Sequence, residues 1–100
     1  MRTLPIELPF AAVEAFCRRR HIRKLSLFDS VLRDDFRRES DVDVLVEFEP
    51  AHIPGLSFFA IQAELSAILG RRVDLNTSGD LSPLFRTDVE REAEVVYVKA

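Results

Sequence analysis

The chain has 100 residues, 47% of them hydrophobic and 31% charged, with a formal net charge of −3. That length suits one domain, expected to span 1–100, and the composition excludes a disordered or low-complexity chain. The acidic balance argues against a protein that coats nucleic acid, and no apolar run is long enough to span a bilayer. The lone Cys17 cannot form an internal disulfide, and no signal-peptide pattern is visible, so the expected location is the cytoplasm.

In chain order, Phe10, Val13, Phe16 and Cys17 recur at helical spacing and predict a helix over residues 9–20, with Pro9 in its first turn. Its end is basic: Arg18, Arg19, Arg20 and His21, then Arg23 and Lys24. The cations suit the carbonyl end of a helix dipole; a patch that meets a phosphate or an acidic partner is the sharper alternative. His21 has no second His or Cys at ligand spacing and is read as a surface residue. Residues 24–28 predict a short strand, and residues 30–33 a brief helix whose first amides and Ser30 hydroxyl can hold a phosphate. An N-cap role for Ser30 is compatible with that contact. Arg33, Arg37 and Arg38 surround the loop, the last two read as solvated along with Asp34, Asp35 and Glu39.

Ser40-Asp41-Val42-Asp43 then runs into Val44-Leu45-Val46. A strand repeats its side-chain direction every second residue, so Asp41 and Asp43 share a face. Two carboxylates held together repel each other, and a divalent cation with oxygen ligands is the simplest relief. The strand over 43–48 ends at Glu49-Pro50, and Pro50 and Pro54 forbid regular structure between them, which leaves His52 incidental. Ser57 is a candidate N-cap for a helix whose Phe58, Ile61, Leu65 and Ile68 form a stripe beside Leu69, closed by Gly70. Phe59 lies off the stripe; core contact is the preferred reading, and an exposed Phe59 serving a partner surface is the alternative.

Residues 72–76 predict a strand that carries Asp74 between Val73 and Leu75. An Asp is disfavoured in a strand, and if this strand pairs beside the one carrying Asp43 the two acids reach the same site. The turn over 77–80 leads to a helix from Ser82 with Pro83 at its first position, whose Leu84, Phe85 and Val89 are expected to face the core. A final strand over 95–98 contains Tyr97, read as structural.

Leu27-Phe28-Asp29-Ser30, Arg33, the Ser40-Asp41-Val42-Asp43-Val44-Leu45-Val46 run and a third acid at Asp74 together resemble the signature of the minimal nucleotidyltransferase (MNT) family, within the polymerase β-like nucleotidyltransferases. The resemblance covers nearly the whole chain. It departs at Asp29, where the family has Gly. The resemblance implies an α/β (α+β) fold, a mixed sheet of about four strands with helices packed against it. It implies ATP as substrate, Mg²⁺ held by Asp41, Asp43 and Asp74, and nucleotide contacts from Asp29, Ser30, Arg33 and Ser40.

The family lacks a substrate-binding second domain, which points to assembly with another chain, like or unlike. MNT proteins are commonly paired with a HEPN toxin, and some transfer AMP to a Tyr of that toxin. An alternative, favoured by Asp29, is an MNT-fold antitoxin that neutralises a HEPN toxin by binding without catalysis. An RNA-modifying nucleotidyltransferase fits the acidic balance worse.

Overall fold

The structure is a computed structural model that describes residues 6–37 and 39–99; Arg38, assigned above to the solvated loop, lies outside them. In chain order come α1 (Phe10–Arg19), β1 (Ile22–Phe28), a 3₁₀ turn (Asp29–Leu32), β2 (Val42–Phe48), a 3₁₀ turn (Gly55–Ser57), α2 (Phe58–Leu69), β3 (Val73–Asn76), a 3₁₀ turn (Ser78–Asp80), α3 (Pro83–Glu92) and β4 (Glu94–Val98). The four strands form one sheet in the order β3-β2-β1-β4. β1 runs antiparallel to β2 and β4, and β2 runs parallel to β3. The sheet is therefore mixed, as the family resemblance implied.

β2 explains how the sheet divides the molecule. Val42, Val44, Val46 and Phe48 are buried in the main apolar cluster together with Val13, Phe16 and Cys17 of α1 and Ile61 and Leu65 of α2. The alternate residues Asp43, Leu45 and Glu47 face the other way, and Leu45 is buried without joining that cluster. One face of β2 thus carries the helices and the other carries the acid. The β2–α2–β3 crossover returns the chain parallel to β2, which a hairpin cannot do. Gly70 ends α2 with φ 67°, the left-handed region that glycine enters at no steric cost.

The two sheet edges differ. On β3, the amides of Val73 and Leu75 donate to Ser66 Oγ (3.1 Å) and Gln62 Oε1 (2.9 Å) of α2, so side chains of that helix cover the edge. On β4, no side-chain hydrogen bond reaches the strand backbone among the described residues, and none of its residues is buried.

Several local expectations change. Pro9 precedes α1 as its N-cap instead of entering it, and Phe10 is exposed. Ser57 does not cap α2: its hydroxyl donates to the Pro54 carbonyl (2.8 Å). Ser82 does cap α3, accepting from the Leu84 amide at 3.4 Å. Leu84 and Phe85 do not face the core; they are 84% and 62% exposed, because α3 buries no residue at all. Phe59 is likewise 68% exposed, on the side of α2 away from Ile61 and Leu65.

Candidate functional site

The site forms where β1 ends and β2 begins. Phe28 pairs with Asp43 across the antiparallel ladder, so the turn after β1 arrives directly over the start of β2. Asp29 begins that turn with φ 48°. This is the left-handed region, open to glycine and tolerated by Asp better than by most other residues. The conformation aims the next residue back at β2: the Ser30 amide donates to Asp43 Oδ2 (3.1 Å), and the Ser30 hydroxyl donates to the Asp41 carbonyl (2.6 Å) while accepting from the Asp43 amide (3.3 Å). Ser30 is thus a clasp between the turn and both ends of the Asp-x-Asp motif.

Asp43 lies directly opposite Asp74 in the parallel β2–β3 register. Burial pushes the Asp43 carboxyl above its ordinary range, the hydrogen bonds from Ser30 oppose the rise, and the Asp29 and Asp74 carboxylates add to it. Two further acids therefore act on Asp43 here. Asp41 lies one residue before β2, exposed, with Oδ1 3.8 Å from Arg72 Nε. Among the described residues no group of three acidic, His or Cys side chains is gathered closely enough to hold a metal ion. The backbone register brings Asp43 and Asp74 side by side, while the Asp41 side chain turns toward Arg72.

The remaining nucleotide candidates sit around this centre. Asp29 Oδ1 lies 3.1 Å from Arg33 Nη2, so the two expected contacts pair with each other. The Ser40 hydroxyl accepts from the Arg37 amide (2.9 Å) and shapes the loop just before Asp41. Arg72 was not singled out from sequence; its pairing with Asp41 depends on the β2–β3 register, which no local pattern announces. A groove of about 990 Å³ continues from Asp74 past Asn76 to Ile53, Phe58 and Phe59.

The model of the family "Polymerase beta, Nucleotidyltransferase" matches residues 12–100. The chain belongs to this nucleotidyltransferase family. A relative from Thermococcus cleftensis, the protein adenylyltransferase MntA, is 41% identical over 78 residues, which is 77% of this chain and 75% of the relative. A solved structure described as a minimal nucleotidyltransferase is 36% identical with a TM-score of 0.69, covering 84% of this chain and 85% of that one. A tri-AMPylated Shewanella oneidensis HEPN toxin in complex with MNT antitoxin contains a chain that matches at 16% identity and TM-score 0.63, covering 90% of this chain and 70% of that one; at this identity it shows the shared fold. The fold is thus that of a minimal nucleotidyltransferase, and no helix among the described residues is long and apolar enough to cross a membrane.

Proposed function

We propose that this chain is a protein adenylyltransferase that transfers AMP from ATP to a hydroxyl, a Tyr, of a HEPN-type toxin and so acts as its antitoxin. The observation that carries the reading is the placement of Asp43 opposite Asp74 with the Ser30 clasp above them. The name of the Thermococcus relative and the AMPylated toxin beside an MNT antitoxin support the acceptor and the donor.

The donor set suits a divalent cation. Asp43 is raised by burial and by the neighbouring Asp29 and Asp74 carboxylates, a concentration of negative charge that Mg²⁺ relieves. Asp43 and Asp74 would hold it, joined by Asp41 once that side chain leaves Arg72. When bound, Mg²⁺ supplies charge neutralisation for the phosphates and the departing pyrophosphate.

The chain's own residues do the rest. The terminal phosphates would draw on Ser30 at the start of the 3₁₀ turn, in exchange for the contacts its amide and hydroxyl make with Asp43 Oδ2 and the Asp41 carbonyl, and Arg33 offers a planar cation for bidentate contact. Asp74 lies between the carboxylates and the groove, where it can orient the attacking hydroxyl and accept its proton. The reaction balances simply: the acceptor oxygen bonds to the α-phosphorus, the bond to the bridging oxygen of pyrophosphate breaks, and the hydroxyl proton leaves to a base. Positioning and charge carry the acceleration, since no covalent nucleophile of the protein is needed.

The binding-only reading rests on Asp29, whose charge stands where the family has Gly. The Asp29–Arg33 contact weighs against it, because the carboxylate is matched by a cation within the same turn. Labelled ATP, Mg²⁺ and the purified HEPN partner test the choice. Label on the partner that disappears in Asp41→Asn and Asp43→Asn supports the enzyme. A tight complex without label shows a binding antitoxin.

A further inference from the structure

We propose that a second copy of this chain docks on the outer edge of β4, antiparallel, to make one continuous eight-stranded sheet about a two-fold axis. The proposal does not rest on the catalytic reading. It begins from the asymmetry of the two edges: β3 has its outward amides covered by Ser66 and Gln62, and β4 has no such cover among the described residues. A bare edge of Val95-Val96-Tyr97-Val98 is β-prone, carries no Pro and no charge, and invites another strand.

The partner is identified by the pattern along the strand. β4 pairs Glu94 with Leu27, Val95 with Ser26, Tyr97 with Leu25 and Val98 with Lys24, leaving Val96 as an extra residue in a bulge. The bulge breaks the two-residue alternation, so Val95 and Val98 both lie on the face shared with Ser26 and Lys24, and both are exposed, at 47% and 62%. Glu94 and Tyr97 lie on the opposite face with Leu27 and Leu25.

A two-fold antiparallel pairing centred between Val96 and Tyr97 sets Val95 opposite Val98 of the other copy, and Val96 opposite its Tyr97. It also sets Glu94 opposite Lys99 of the other copy. In each pair the residues meet on one face, as antiparallel neighbours must. Glu94 has no ion-pair partner among the described residues; Lys99 Nζ pairs with Glu49 of its own chain at 2.5 Å, and its ammonium has three donors, so Glu94 of the other copy would be a second acceptor on it. Apolar meets apolar and acid meets base twice, which is the self-complementarity an isologous interface requires. The axis stands perpendicular to the sheet, so the two Asp43 sites open on the same side.

Five residues of strand and Lys99 beyond it make a small interface, so the association is expected to be weak and concentration-dependent. Sedimentation from low micromolar to millimolar protein should show a reversible monomer–dimer equilibrium. Glu94→Lys should weaken it about tenfold or more, and adding Lys99→Glu in the same chain should restore it. Register is read independently by mixing a Val95→Cys chain with a Val98→Cys chain under mild oxidation. The mixed disulfide should dominate over either homodimer, because 95 faces 98 of the other copy while like positions are offset by roughly 10 Å along the strands. Cys17 does not compete, since it is buried and burial pushes its thiol up to about 12. A chain that stays monomeric throughout, with no enrichment of the mixed disulfide, overturns the proposal and leaves the edge to a different protein. Dimers with disulfides in merely statistical proportions overturn the pairing by showing another interface.

Discussion

In β2, five of seven residues are buried and the strand has a neighbour on each side; in α3 and β4 together, no residue is buried. Both regions come from amphipathic sequence, so composition does not separate them. The difference is what each meets. β2 is gripped by β1, β3, α1 and α2, and the acid on its free face inherits that rigidity. α3 and β4 close the chain over little, and their apolar residues stay in solvent. The carboxylates that the proposed transfer would use lie in the first region, and the edge proposed for docking lies in the second.

The largest effect that tests this contrast comes from Asp43. Asp43→Asn should cut AMP transfer by about 10³-fold or more, the loss of several kcal/mol of charge stabilisation at the phosphates. The same change should leave the metal-free fold intact and flatten its pH dependence. The Asp43 carboxyl titrates above its unfolded value, first because of burial and then because of Asp29 and Asp74. The folded state therefore holds this proton more tightly than the unfolded chain, and that contribution is complete below the unfolded value and lost as pH rises through the folded one. Asn carries no charge, so urea midpoints of the variant should fall less than those of the parent across that weakly acidic window. An equal fall in both would show that Asp43 is not held in the environment described here.

Next in size is the packing contrast itself. Leu65→Ala, at a fully buried position of α2, should cost about 2–5 kcal/mol, whereas Leu84→Ala, on the outer face of α3, should change stability by no more than about 0.5 kcal/mol. Equilibrium urea denaturation decides. A large loss at Leu84 would mean that α3 is packed in solution and that the two regions are alike.

Ser30→Ala probes the joint between the turn and β2. The hydroxyl both donates to the Asp41 carbonyl and accepts from the Asp43 amide. Its loss leaves two backbone groups to find water, at about 1 kcal/mol, with faster hydrogen exchange at the Asp43 amide. Transfer should drop by about tenfold through misplacement of Asp43. Unchanged exchange at that amide would show that the clasp does not order the strand.

The legible part of the molecule was the part governed by period. Alternation fixed the buried face of β2, and the stripe of Ile61 and Leu65 fixed the inner face of α2. A period tells which residues share a face and not what that face meets, which is why Leu84 and Phe85 were assigned to a core they do not reach; Phe59, off the stripe, is exposed as well. Period two also set Asp41 beside Asp43, yet Asp41 lies just before the strand and its carboxylate turns to Arg72. The Asp43–Asp74 pairing required knowing that α2 returns the chain parallel to β2 with this register, a long-range fact. Asp29 was visible as a departure from the family's Gly, and the backbone shows what that position demands: a positive φ.

Asp29 also supplies the smallest and most discriminating test. Asp29→Gly removes the strain of an L residue at φ 48°, worth about 1 kcal/mol, and increases the backbone entropy of the unfolded chain by a similar amount. The lost contact with Arg33 is exposed on both sides and contributes little. Net stability should therefore move by less than about 0.5 kcal/mol. Electrostatics should move more clearly, since Asp29 is one of the two carboxylates that raise Asp43. In the Gly variant the Asp43 carboxyl should titrate lower, seen by carboxyl NMR, and nucleotide affinity should rise several-fold by calorimetry because a negative charge has left the phosphate approach. If Asp43 titrates lower and affinity does not change, Arg33 already neutralises Asp29 toward the phosphates. If neither changes, the Asp29 carboxylate lies outside the working site, and the family's Gly answers to the turn alone.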